Sequence, residues 1–332
     1  MAANVGVPVR ASEAAATIVP ASDIHVAIKE WRVPTSGSHP HDPLATRDGA
    51  ICYTGQMANL LGRLGPKTGQ FREYRLKILA SGPHGLVSDA NGAIWFTASF
   101  KGYIGKLDPV IGDVREFRLP DPTAQGPHTR VFDRKGVLWI TVIGGNMIGR
   151  LDPSNGEIKL VLSPTSNSLP YGLLVNSKGA PFFAEFGSNK IGRVDPETMR
   201  IEEYVLPNVE ARPRRIAAMS DDLIWYSDYP IGYLGRLDPK IGKVTEWPSP
   251  GGRDTGPYAI TAIDDVIWYA ESAMTPNMLV RFDPTTETFH SRPIPSGGGV
   301  IRNMTPTPGG GLALSCVGVD TVALVEISKR AN

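Results

Sequence analysis

Residues 82–120 read GPHGLVSDANGAIWFTASFKGYIGKLDPVIGDVREFRLP, four short β-rich runs separated by turn chemistry at Asn91-Gly92, Asp108-Pro109 and Ile111-Gly112. The same unit recurs along the chain. Its opening proline falls at Pro40, Pro83, Pro127, Pro170, Pro213 and Pro257, in steps of 43 or 44 residues. A second marker keeps the same beat, with Gly65-Pro66, Asp108-Pro109, Asp152-Pro153, Asp195-Pro196, Asp238-Pro239 and Asp283-Pro284. The second run of most copies is aromatic or β-branched, as in Trp95-Phe96, Trp139-Ile140, Phe182-Phe183, Trp225-Tyr226 and Trp268-Tyr269. Four strands in each such repeat read as a β-propeller blade, not as a helical solenoid.

Six units are complete, and a seventh begins near Gly299 and ends without its fourth strand. That strand is found at the other end of the chain, where IKEWRVP (28–34) matches the fourth-strand pattern of VREFRLP (114–120) and IEEYVLP (201–207). The expected fold is an all-β, seven-bladed propeller over residues 25–332, closed by pairing the N-terminal strand with the last blade so that no sheet edge is left free. Residues 1–24 are Ala-rich and patternless, lack the long apolar stretch of a complete secretory signal, and are read as a flexible leader or the remnant of one.

Composition narrows the function classes. The 34 Lys and Arg against 33 Asp and Glu leave a net charge of +1 over 332 residues, so no global field would draw nucleic acid or an anionic membrane to this chain. No apolar run approaches the ~18 residues of a membrane span. Two cysteines, Cys52 and Cys316, sit in no disulfide or zinc spacing. The repeated Trp and Tyr residues, and the Gly-Arg or Gly-Lys pairs such as Gly105-Lys106 and Gly235-Arg236, are read as scaffold, with the cation solvated or paired to a neighbouring blade.

In a propeller the first strand of each blade lines the central channel. The residue after the opening proline is His41, His84, His128, Tyr171, Arg214 and Tyr258 in turn, with Arg302 as the seventh. With His39 beside the first, four of the six histidines fall at or next to one register on three consecutive blades. Convergent titratable groups in a concavity mark a site, so His41, His84 and His128 are the candidate catalytic residues, and His39, Tyr171, Arg214, Tyr258 and Arg302 candidate substrate-binding residues. Three neutral histidines would suit a transition metal. A second ring follows the aromatic run: Gln56, Ala98, Val142, Glu185, Asp228, Glu271 and Cys316. Three carboxylates in one cavity repel unless something relieves them. Either Arg214, Arg215 and Arg302 pair with them, or Glu185, Asp228 and Glu271 hold a divalent ion such as Mg²⁺ or Ca²⁺ through oxygen.

The blade formula, (Gly/Ala/Arg)-Pro-(His/Tyr)-Gly-(Leu/Ile) followed by Gly-x-Ile-Trp-Phe-Thr and Ile-Gly-Arg-Leu-Asp, resembles the streptogramin B lyase (virginiamycin B lyase) family of seven-bladed propellers from about Ile28 to Glu326. The resemblance implies a Mg²⁺-assisted elimination that opens a cyclic depsipeptide at its ester without adding water, an antibiotic-resistance activity. It also implies a metal site built from a histidine of one blade and, on the next, a Glu-Pro-His opening followed by a Glu. The Pro-His openings here are His39-Pro40-His41, Gly82-Pro83-His84 and Gly126-Pro127-His128, none with Glu before the proline. Three readings follow: a lyase with His84 or His128 as base and Glu185 and Glu271 on the metal, a calcium-dependent lactonase-type hydrolase, and a propeller that binds a ligand without catalysis. The expected partner is a small molecule or cyclic peptide. The expected protein is a monomer, periplasmic or secreted by analogy with exported relatives, or cytoplasmic like the resistance lyase.

Overall fold

The structure, a computed structural model, describes residues 24–329, so the segment read as a leader lies, up to residue 23, outside the described residues. It contains seven sheets of four antiparallel strands each. The inner strands of neighbouring sheets contact one another all the way round, the seventh against the first, so the sheets are the blades of a closed ring. The inner strands are Pro40–Ala45, Pro83–Ser88, Pro127–Phe132, Pro170–Val175, Pro213–Ala218, Pro257–Ile263 and Ile301–Pro306, numbered here as blades one to seven. Helix is confined to two short 3₁₀ turns, Arg253–Thr255 and Val317–Val319, and among the described residues no helix is long and apolar enough to cross a membrane.

Closure follows the expected route. Strand Ile24–Arg32 pairs along its whole length with Thr321–Lys329, from Ile24 opposite Lys329 to Arg32 opposite Thr321, and forms the outer edge of blade seven. Asp320 ties the following loop to the same place, accepting hydrogen bonds from the backbone N–H groups of Gly37 and His39.

The scaffold residues do their work between blades. Trp95, Trp139 and Trp225 are fully buried, each packed against apolar residues of the next blade, Ile140 and Leu151 around Trp95 for example. Opposite each tryptophan across the ladder stands the cation of the repeated Gly-Lys or Gly-Arg pair, and Lys106, Arg150 and Arg236 lie 5.1, 5.9 and 5.4 Å from the ring centroids of Trp95, Trp139 and Trp225. The glycines beside Lys106 and Arg236 leave room for the rings of Phe96 and Tyr226, while Gly149 beside Arg150 packs on Leu160 and Ile140. A Cβ on Gly235 would come within 2.0 Å of the Tyr226 ring. Gly235→Ala must therefore displace a fully buried side chain, and we expect about 1–3 kcal/mol of destabilisation, as for other overpacked cores. A urea melt whose midpoint matches the wild type would show that the ring can move freely.

Candidate functional site

In every blade the ladder between the inner strand and its neighbour slips just after the opening residue, between Pro40 and Pro43 in blade one, Pro83 and Leu86 in blade two, and so on to Ile301 and Met304 in blade seven. A bulge of this kind breaks the strict alternation of faces and re-aims side chains. A hydroxyl of the second strand holds it. Thr97 Oγ1 accepts from the Gly85 N–H at 2.8 Å and donates to the His128 carbonyl of the next blade at 2.7 Å. Thr54, Thr141 and Ser227 bond in the same way to the carbonyls of His84, Tyr171 and Tyr258. Each of these ring residues is thereby fixed by the blade before it.

The first ring assembles as the sequence register implied. His41, His84, His128 and Tyr171 stand side by side with ring centroids 3.8, 3.8 and 4.0 Å apart, all four buried. The Tyr171 hydroxyl is hydrogen-bonded to that of Tyr258 across the Arg214 blade. The Arg214 guanidinium lies 4.0 Å from the Tyr258 ring centroid, 5.3 Å from that of Tyr171, and 4.4 and 4.3 Å from those of Phe186 and Tyr229. Arg302 completes the ring on blade seven, near enough to His41 to oppose its protonation. His39 does not join the ring: it is exposed, in a left-handed backbone conformation.

Sequence reading missed the residues immediately below. Asp42 is fully buried and gathers four blades. Its Oδ1 lies 2.9 Å from His41 Nδ1 and 3.2 Å from an Arg215 nitrogen, while its Oδ2 accepts from Asn303 Nδ2 at 2.8 Å and lies 3.4 Å from an Arg130 nitrogen. Burial alone would push the Asp42 carboxyl up, but Arg215, the His41 bond and Arg130 outweigh it and hold the group well below the usual carboxylate range. The histidines move the other way from their usual charge. Burial lowers His41 despite its Asp42 bond, and burial together with neighbouring histidines and arginines holds His84 and His128 well below 6.5. All three are neutral at neutral pH. Since the ionised Asp42 can only accept, His41 carries its proton on Nδ1 and offers a bare Nε2.

The second ring stays dispersed. In blade one the residue facing the opening proline is Gly55, so Gln56, taken as that ring's first member, lies one residue beyond the register. Glu185 accepts from Ser188 Oγ at 2.7 Å with its other oxygen buried and unpartnered. Asp228 accepts from the Arg212 N–H at 3.0 Å and also keeps one oxygen buried without a partner. Burial pushes both up to about 7. Glu271 is bound by Ser249 Oγ at 2.6 Å and the Gly251 N–H at 2.9 Å. Arg215, one of the cations suggested as their partner, is spent on Asp42 instead.

Among the described residues, the group with the count and closeness of a metal site is His41, Asp42 and His84, whose ligand atoms lie within 4.8 Å of one another; Glu185, Asp228 and Glu271 form no such group. Mg²⁺ requires a near-octahedral oxygen shell. Here the donors are two imidazoles and one carboxylate, a set suited to transition ions, and the carboxylate oxygens are already engaged by two guanidinium groups and Asn303. These residues do not fit Mg²⁺.

A sequence profile described as the virginiamycin B lyase family matches residues 11–184. No curated protein matches the chain. Among solved structures, a streptogramin B lyase is 25% identical over 92% of this chain and 98% of its own, with a TM-score of 0.83. Virginiamycin B lyase from Staphylococcus aureus is 23% identical over 91% of this chain and 99% of its own, with a TM-score of 0.82, and a catalytically inactive histidine-to-alanine variant of it solved with quinupristin gives the same values.

Two buried carboxylates, displaced in opposite directions, should respond oppositely to the same substitution. Asp42→Asn leaves two guanidinium groups short of a counter-charge and is expected to lose about 3–5 kcal/mol at pH 7. Its folded pKa is depressed, so the loss persists down to the ordinary carboxylate range and shrinks only below it. Asp228 has a raised folded pKa, so its ionisation weighs against the fold increasingly as pH rises from about 4 to about 7. Asp228→Asn should accordingly stabilise at pH 8 and change little at pH 4. Urea melts at both pH values check the pair, and equal effects of Asp228→Asn at the two would contradict the assignment.

Proposed function

The chain belongs to the virginiamycin B lyase family, and from that premise and the channel geometry we propose that it opens an ester-bearing, amphipathic cyclic substrate by elimination, with His41 as the base. The observation that carries this reading is the His41–Asp42 pair: a buried, ionised carboxylate 2.9 Å from Nδ1 fixes the tautomer and orientation of an imidazole kept neutral by its surroundings. That is the base-and-orienter logic of many hydrogen-transfer sites. Asp42 acts as a positioning residue. In the reaction, His41 Nε2 takes a proton from the carbon next to a carbonyl, the electron pair forms a carbon–carbon double bond, and the ester oxygen departs as a carboxylate. No water enters, and mass is conserved.

The mouth supports an amphipathic substrate. Met57, Leu79 and Phe100 are exposed large apolar residues in loops flanking the inner-strand openings of blades one and two, where the Met57 and Phe100 backbone N–H groups donate to the Ser38 and Ser81 carbonyls. Arg214 and Arg302 supply positive charge where negative charge develops. The streptogramin B lyase relatives make a cyclic depsipeptide the first substrate to test. Completion of the last blade by the N-terminal strand supports a self-contained monomer.

Incubation with a streptogramin B depsipeptide, followed by chromatography and mass spectrometry, should give a shifted peak of unchanged mass. His41→Gln should slow turnover on the order of 10²–10⁴-fold. Because the donor set does not suit Mg²⁺, turnover should be the same with added Mg²⁺ and after chelation. A product heavier by one water, or activity lost on chelation and restored by Mg²⁺, would overturn this mechanism.

A further inference from the structure

Arg214 pairs with no carboxylate among the described residues. Four aromatic rings surround its guanidinium at 4.0 to 5.3 Å, and its Nε is buried without a partner among the described residues. Arg302, two blades on in the same ring, also has a buried Nε with no partner. The inner strands of all seven blades carry four arginines, Arg130, Arg214, Arg215 and Arg302, and one acid, Asp42. Asp42 is committed to Arg130 and Arg215, and the histidines are neutral, so the channel holds an excess of three positive charges in a chain whose net charge is only +1.

Aromatic faces favour a cation but leave the edge of the guanidinium fork unsatisfied, and that edge matches a carboxylate. We propose that the channel mouth is a carboxylate-binding site, in which Arg214, held by Tyr171, Phe186, Tyr229 and Tyr258, grips the anion and Arg302 adds to the field. The ligand is an organic acid with an apolar body, the acid meeting the fork and the body meeting the half-buried rings of Phe186 and Tyr229. The site deepens the elimination reading, which produces a carboxylate at this mouth, but binding is measured without turnover.

Benzoate is the probe, titrated calorimetrically into the full chain, with methyl benzoate and benzamidine as neutral and cationic controls. Benzoate should bind and the controls should not. Arg214→Met should weaken benzoate at least tenfold, while Arg214→Lys, which keeps the charge and loses the fork, should fall between. Comparable melting temperatures for the three proteins establish that folding is not the cause, and the Lys variant carries the test if the Met variant melts early. Absence of benzoate binding to the folded wild type, or equal affinity in both variants, would sink the proposal. Displacement of benzoate by the ring-opened depsipeptide acid alone would assign the site to the leaving group, and displacement by neither acid nor intact ester would assign it to a carboxylate on another substrate. A protein that binds benzoate through Arg214 yet leaves the depsipeptide intact keeps this site and loses the elimination.

Discussion

One carboxylate organises the centre of this protein. Asp42 belongs to blade one and is bound by Arg130 of blade three, Arg215 of blade five and Asn303 of blade seven, as well as by its own neighbour His41. Taking an acid and two guanidinium groups out of water carries a large desolvation penalty, and only close geometry and further hydrogen bonds offset it. Those bonds exist here on both oxygens. An arrangement that requires four blades from around the ring, including the first and last that meet at its closure, to reach one point also requires the ring to have the right number of blades in the right register, so the hub specifies closure as well as surviving it.

Burial of the stacked rings is the main reason the histidines above this hub are neutral: it lowers His41 against the opposing pull of Asp42, with Arg302 and Arg215 adding to it, and it lowers His84 and His128 with help from Arg215 and the neighbouring histidines. Three imidazoles in contact could not all be charged, and here none is at neutral pH. Asp42 then distinguishes one of them. It bonds His41 through Nδ1, whereas His128 Nδ1 meets only the Thr129 hydroxyl and His84 Nδ1 has no partner. Three identical side chains at one register thus have three different proton-binding characters, which is what a site needs from a repeated scaffold.

The period and the blade count could be read in the sequence because turns and buried aromatics repeat wherever blade packing repeats. The first ring was also legible, since it follows an unmistakable proline. Asp42, Thr129 and Asn303 were not, and Arg215 was read only as a partner for the second-ring acids, because strand alternation would turn the next residue away from the channel, and the bulge that brings it back has no signal beyond the Thr or Ser twelve residues later, as at Asp42 and Thr54 or Thr129 and Thr141. Glu185, Asp228 and Glu271 were found at the right register, but register did not make them converge. They stand on second strands, roughly 5 Å further from the axis than the inner strands, where equivalent positions on neighbouring blades have already spread apart. Glu185 has found a partner in its own hairpin, and Asp228 and Glu271 in the loops that lead into their blades.

That spreading bears on how the family's chemistry could persist without the family's metal pattern. A divalent ion in such a site serves to hold positive charge beside a developing anion, and it needs its protein ligands close together to do so. This chain keeps its second-strand acids apart and raises two of them toward neutrality, while placing guanidinium groups directly in the innermost ring. Guanidinium charge is permanent across the physiological range and needs no ligand shell, only a cavity that does not neutralise it. Aromatic rings meet that condition for Arg214, because they stabilise a cation without offering it a counter-ion. In the proposed elimination, the positive charge that the relatives' pattern would recruit from solution would be carried by the chain itself.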